Sequence, residues 1–165
     1  MKVGAIAYRK TRGGIEICLV SSRRHKGRLT LPKGEVNQGE TLVAAAKREL
    51  FEEAGLLGKV KQTTRPLCFA AKSRRRDPVL YFLVKITDVK AKWPESKIRQ
   101  RVFTGLDEMP ALPLGDAPKA LLRQIRRLPP FAGVSAADEV AANDLVALAE
   151  PNFRRGFTSW RRRAQ

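Results

Sequence analysis

The chain has 165 residues, 43% apolar and 30% charged, a balance that suits one globule with a real core and leaves little room for a second. Lysine and arginine number 33 against 16 aspartates and glutamates, a formal net charge of +17 at pH 7. Such a field draws polyanions: nucleic acid, an anionic membrane surface or a highly phosphorylated small molecule. Apolar runs fall far short of the ~20 residues of a membrane span, and two cysteines with one histidine exclude a disulfide framework and a histidine-rich zinc site.

Met1 to Lys10 holds only a short apolar run flanked by charge. It reads as a first strand over Val3 to Tyr8 rather than a secretory signal, and a cytoplasmic protein is expected. Thr11-Arg12-Gly13-Gly14 is a turn signal, and Ile15 to Val20 resumes as a second strand, so a hairpin is predicted. Cys18 in that strand and Cys68 further on read as buried, reduced thiols. Ser21 to Arg28 is a basic loop, Leu29 to Leu31 a short apolar stretch ended by Pro32, and Lys33 to Gly39 a loop with two glycines.

Glu40 to Ala54 is the strongest helix signal, rich in alanine, leucine and charged helix formers. Val43, Ala46 and Leu50 are expected on its core stripe, with Gly55 as the stop. Val60 to Ala70 reads as one long strand or a pair interrupted by Pro66. Lys72 to Pro78 is a basic loop with Arg74, Arg75 and Arg76, and Val79 to Ile86 an apolar strand. Lys90 to Arg101 is a polar loop, Val102-Phe103 a short strand, Leu106 to Met109 a helical turn and Ala117 to Leu128 an amphipathic helix. Strands around one central and one late helix argue an α/β layered domain over residues 1–128.

Pro129-Pro130 marks a boundary. Residues 129–165 form a basic extension, read as a helix over Ala136 to Glu150 plus a flexible tail. Its arginines, interleaved with Phe157 and Trp160, suit RNA through phosphate contacts and stacking. A solvated tail or a helix docked on the domain fits the same composition.

The chemistry lies on the central helix. Glu49, Glu52 and Glu53 stand at i, i+3 and i+4, so one face carries three carboxylates that repel one another. Arg48 neutralises only part of that charge. A solvated acidic face is one reading. The other is a hard divalent cation, which takes oxygen ligands. The cluster sits in a strongly basic chain and follows a glycine-bearing loop whose backbone can approach a ligand closely. Carboxylates and a cation ringed by Lys and Arg are the parts that phosphoanhydride hydrolysis needs, with one carboxylate taking the proton of the attacking water.

Gly34, five residues, Glu40, seven residues, then Arg48-Glu49-Leu50-Phe51-Glu52-Glu53-Ala54-Gly55-Leu56 resembles the Nudix box, G-x5-E-x7-R-E-U-x-E-E-x-G-U, at every fixed position and both aliphatic ones. Chance would give such a match less than about once in 10⁸ starting points. The resemblance implies a Nudix hydrolase: an α/β/α sandwich with a mixed sheet and a loop–helix–loop catalytic motif, cleaving phosphoanhydrides with Mg²⁺ or Mn²⁺. It implies that Glu49 and Glu53 are metal ligands and Glu52 the proton acceptor or a further ligand. A backbone carbonyl of Lys33 or Gly34 would complete the set. Arg48 is implied as the residue that orients the glutamates, Glu40 as structural or at the edge of the metal cluster, and Gly55 as permitting the turn.

Flanking loops set the substrate. Leu19 to His25 followed by Leu31-Pro32-Lys33-Gly34, the strand Val79 to Val84, Trp93-Pro94-Glu95, Arg99 to Phe103 and Lys119 are similar to the diphosphoinositol polyphosphate phosphohydrolases. That similarity implies phosphate contacts from Lys2, Ser22, Arg23, Arg24, Arg74, Arg99 and Lys119, Arg acting through paired hydrogen bonds and Lys as a point charge. Pro32-Lys33-Gly34-Glu35 departs from the glycine run of animal members. A Pro-Lys-Gly start also occurs in diadenosine polyphosphate hydrolases and RNA pyrophosphohydrolases. Diadenosine polyphosphates, RNA 5′ ends and oxidised nucleotides therefore stay open as substrates, as does a non-catalytic RNA-binding module. Tyr8, Tyr81, Phe82 and Phe103 suit either base stacking or core packing.

Overall fold

The computed structural model describes residues 1–71, 77–129 and 131–132. The expected helix over Ala136 to Glu150, the basic tail and Arg74 lie outside the described residues. Eight strands form one mixed sheet: β1 (Lys2–Thr11), β2 (Gly14–Ser21), β3 (Leu29–Thr30), β4 (Lys33–Glu35), β5 (Leu56–Val60), β6 (Leu67–Phe69), β7 (Val79–Val89) and β8 (Arg101–Gly105). Two helices, α1 (Leu42–Ala54) and α2 (Asp116–Arg126), complete the layers. A 3-10 turn over Met109–Ala111 stands just after the expected helical turn.

The central strand is β1. It runs parallel to β7 from Lys2↔Val79 to Tyr8↔Lys85. Its other edge is shared: β4 pairs with its first residues, Lys2↔Glu35 to Gly4↔Lys33, and β2 with its last, Tyr8↔Ile17 to Thr11↔Gly14. Every other pairing between these eight strands is antiparallel.

Alternation along β1 builds the sandwich. Ile6 and Tyr8 face one side, where Ile17, Leu19, Tyr81 and Leu83 pack with Leu121 and Ile125 of α2. Val3, Ala5 and Ala7 face the other, beneath Ala45, Ala46, Leu50 and Ala54 of α1. With both faces covered, the strand reads as a continuous apolar run. Small side chains on β1 and on α1 bring that helix close to the sheet. This is the expected α/β/α sandwich with a mixed sheet. Phe131, beyond the expected boundary, is buried edge-on against Tyr8, with ring centroids 5.5 Å apart.

Several local expectations shift. Thr41, with extended backbone, caps α1 by accepting the Ala44 N–H at 3.2 Å, so the helix starts at Leu42 rather than Glu40. Val43 is exposed, and Ala45 takes its place in the core. Lys33 to Gly39 is not all loop, because Lys33–Glu35 pairs with β1. The expected strand over Val60 to Ala70 is displaced: β5 starts directly after Gly55 and ends at Val60, and only β6, after Pro66, lies within that span. Both pair with β7.

Candidate functional site

Helix α1 is held at both ends. Its last carbonyls lack partners within the helix and find them in the loop after β7 and in β8. Glu95 N–H donates to Glu52 O at 3.1 Å, Lys90 N–H to Gly55 O at 2.8 Å, and Arg101 to Ala54 O at 2.6 Å. Gly55 is left-handed, φ 64°, and donates to Phe51 O. A Cβ there would come within 2.9 Å of the Trp93 side chain, so the Trp93-Pro94-Glu95 loop sits on the end of the helix. Arg101 in turn lies over the Trp93 ring.

This clamp fixes the face that carries the carboxylates, and Arg48 ties them together. It donates to both Glu40 oxygens, at 2.9 and 3.0 Å. It also donates to Glu49 at 2.7 Å, to Glu52 at 3.0 Å and to the backbone oxygen of Glu35 at 2.9 Å. Paired hydrogen bonds from a planar guanidinium set direction as well as charge. The Glu40 carboxyl is held below its ordinary range, first by its hydrogen bonds from Arg48. Glu40 is therefore an anchor for Arg48.

The three remaining glutamates differ in burial. Glu53 and Glu49 have side chains 8% and 12% exposed, while Glu52 is 39% exposed. Burial pushes the Glu53 carboxyl up to about 7, against the opposing charge of Arg99. It raises Glu49 too, against Arg48. Glu53 accepts the Lys33 N–H at 3.1 Å. A Cβ on Gly34 would overlap the Glu49 carboxylate, so only glycine lets the β4 backbone lie against that side chain. Lys33, Gly34, Glu49 and Glu53 thus come together where β4 meets α1. The Tyr81 hydroxyl, buried and without a hydrogen-bond partner, is raised by burial and by the Glu53 charge.

Among the described residues no three His, Cys, Asp or Glu side chains already converge as a ligand cage. Glu49 and Glu52 both pair with Arg48, and Glu53 pairs with Arg99. The donor set nevertheless suits a hard divalent cation. It consists of carboxylate and backbone oxygens, two of the carboxylates are largely desolvated, and the backbone at Gly34 lies directly against one of them.

The expected phosphate contacts separate. Arg23 and Arg24 are exposed in the loop between β2 and β3, a turn closed by His25 N–H on Ser22 Oγ at 3.2 Å. Arg23 reaches Glu95 at 3.2 Å. Lys2 is engaged with Glu35 at 3.2 Å. Lys119 is exposed on α2, which covers the opposite face of the sheet from α1. Arg99 is not an exposed contact: it is 9% exposed and pairs with Glu53, Glu95 and Ser21 O. Burial of Glu53 demands a counter-charge, and Arg99 supplies it. Tyr8 and Tyr81 are core residues. Arg9 stacks over the Phe103 ring.

Glu95 is the residue that sequence reasoning missed. It touches Arg23 and Arg99 and adds negative potential at Glu49 and Glu53. Its only signal was its place in Trp93-Pro94-Glu95, since nothing in the spacing ties a loop some forty residues on to α1.

The NUDIX domain family model matches residues 1–125. Nudix hydrolase 17, mitochondrial, of Arabidopsis thaliana is 33% identical over 114 residues, covering 64% of this chain and 62% of that protein. Diphosphoinositol polyphosphate phosphohydrolase 3-beta of Bos taurus is 32% identical over 81 residues, 49% of this chain and 48% of its own. The chain thus spans about half to three fifths of these relatives. A C. elegans Ap4A hydrolase binary complex superposes with TM-score 0.58 at 26% identity, covering 76% of this chain and 95% of that one. The NUDIX domain of Shewanella oneidensis NrtR shares the fold, with TM-score 0.63 at 17% identity over 76% of this chain and 85% of that one. The matched span contains β4, α1 and the loop that clamps them, and the chain belongs to the Nudix family.

Proposed function

We propose that this chain hydrolyses a phosphoanhydride bond in a polyphosphorylated small molecule, of the diphosphoinositol polyphosphate or diadenosine polyphosphate class, with Mg²⁺ or Mn²⁺. The observation that carries the reading is the convergence of Glu49 and Glu53 on the Lys33-Gly34 backbone, with Glu52 tied to the same Arg48. Its relatives include a diphosphoinositol polyphosphate phosphohydrolase and an Ap4A hydrolase, which favours those two substrate classes.

Glu49, Glu53 and a backbone oxygen of Lys33 or Gly34 would hold the cation, with Glu52 at its edge. Such an ion neutralises phosphate oxygens and lowers the pKa of water. The chain does the rest. Glu52, the most exposed of the three carboxylates, takes the proton from the attacking water. Arg48 keeps Glu49 and Glu52 aimed at one place. Arg23 and Arg24, exposed on their loop, meet the outlying phosphates and hold the substrate against the carboxylates.

The test is turnover of the full chain in Mg²⁺ on a diphosphoinositol polyphosphate, on diadenosine polyphosphates of several lengths and on 5′-triphosphorylated RNA. Preference for the inositol compound means that the basic loop reads a phosphate-crowded ring. Preference for the dinucleotides means that it serves a linear phosphate chain. Turnover of RNA ends alone would overturn the small-molecule reading.

A further inference from the structure

The pairing of Arg99 with Glu53 goes beyond the motif. Both side chains are at least nine-tenths buried, and each is the other's charge partner. A buried carboxylate stays ionised only with compensation. Here Arg99 Nη2 takes Glu53 Oε1, while the Lys33 N–H takes Oε2. Both oxygens of Glu53 are therefore engaged. A divalent cation reaching this carboxylate meets a guanidinium of like charge already in contact with it.

The remaining contacts of Arg99 lie off α1. Its Nε donates to Glu95, and its Nη1 donates to Ser21 O at 2.7 Å. Glu95 belongs to the loop whose backbone is pinned to Glu52 O. Its other oxygen takes Arg23 at 3.2 Å. Arg99 can thus release Glu53 and keep two anchors, on the side where Arg23 stands. We propose that Arg99 is an internal counter-cation, seated on Glu53 while the site is free of metal. Arrival of the divalent cation displaces Arg99 from Glu53 while Glu95 and Ser21 O keep it in place, so its charge is no longer neutralised by Glu53 on the side where Arg23 stands.

This inference rests on the proposed cation site at Glu53 and deepens it. It makes Arg99 a positioning residue that couples metal to anion binding, and such coupling is reciprocal. The alternative is a permanent structural ion pair, with the cation held by Glu49 and Glu52 alone.

The experiment uses the wild-type chain and Mn²⁺. Free Mn²⁺ is counted by electron paramagnetic resonance, with Glu53→Gln as the reference for binding at this carboxylate. In parallel, phenylglyoxal modification of Arg99 is followed by peptide mass spectrometry, with and without saturating Mn²⁺. Arg12, exposed in the β1–β2 turn, is the internal standard. The exchange predicts that Arg99 is protected without Mn²⁺ and reacts faster with it, by on the order of tenfold. It also predicts that Arg99→Gln, where it folds, binds Mn²⁺ tighter by a similar factor.

Mn²⁺ binding that depends on Glu53 while Arg99 stays equally protected overturns the exchange and leaves the cation site standing. Mn²⁺ binding that Glu53→Gln does not weaken overturns both. The modification arm needs no variant of Arg99, so a folding defect in Arg99→Gln does not shelter the proposal.

Discussion

Arg48 grips Glu40 with two parallel hydrogen bonds, at 2.9 and 3.0 Å, and with the rest of its guanidinium holds Glu49 and Glu52. One planar cation thereby couples the residue just before the helix cap to the carboxylate face of α1. Lysine carries the charge but not the fork. Arg48→Lys is expected to keep the fold and weaken divalent-cation binding by roughly 10–100-fold, the usual cost of losing a residue that orients metal ligands. Circular dichroism and Mn²⁺ titration read the two parts separately.

The same pair gives a pH dependence with a definite sign. Glu40 is held below its ordinary value of 4.5 by Arg48. A carboxyl whose folded value is depressed adds stability above about pH 4.5, and that stability is lost as pH falls through the folded value. Glu40→Gln is therefore expected to melt below the wild type at pH 6 to 7. The gap should narrow steadily on acidification below about pH 4.5. Thermal midpoints of both proteins across pH 3 to 7 measure it, and a gap that widens in acid contradicts it.

Gly34 is set by a side chain rather than by its backbone angles. A Cβ there would overlap the Glu49 carboxylate. Gly34→Ala is expected to displace Glu49 and to lower turnover by about a hundredfold, on the scale of misplacing a reacting group. Because β4 pairs only at the edge of β1, the thermal midpoint should move little. Steady-state kinetics beside a melting curve separates the two effects.

Gly55 is the opposite case. Its left-handed φ of 64° costs any other residue about 1–2 kcal/mol, and a Cβ would also press on Trp93. Gly55→Ala should destabilise the fold by roughly that amount or more, read by urea unfolding. Cation affinity per folded molecule should fall less than in Arg48→Lys.

Much of this was legible in the sequence because it is local. The spacing of Glu49, Glu52 and Glu53 needs only a helix, and the apolar runs of β1 and β7 need only two buried faces. Residues that act across the chain were not legible. Lys33–Glu35 is a strand only because β1 offers it a partner. Val43 stands exposed in the first turn of α1, while Ala45 is buried beside Ala46 against Val3, a packing partner far away in sequence. Arg99 reads as a phosphate contact, since nothing near it in sequence reveals Glu53, 46 residues away. Glu95 was hidden for the same reason.

The most direct test of the central claim is turnover of a phosphoanhydride substrate by the wild type, Glu52→Gln and Glu53→Gln, with Mg²⁺ and after chelation. Activity should vanish on chelation and return with Mg²⁺, and each variant should lose at least about a hundredfold in kcat while keeping its fold. Full turnover in both variants, or turnover indifferent to the cation, would contradict the assignment of the reaction to the glutamates of α1.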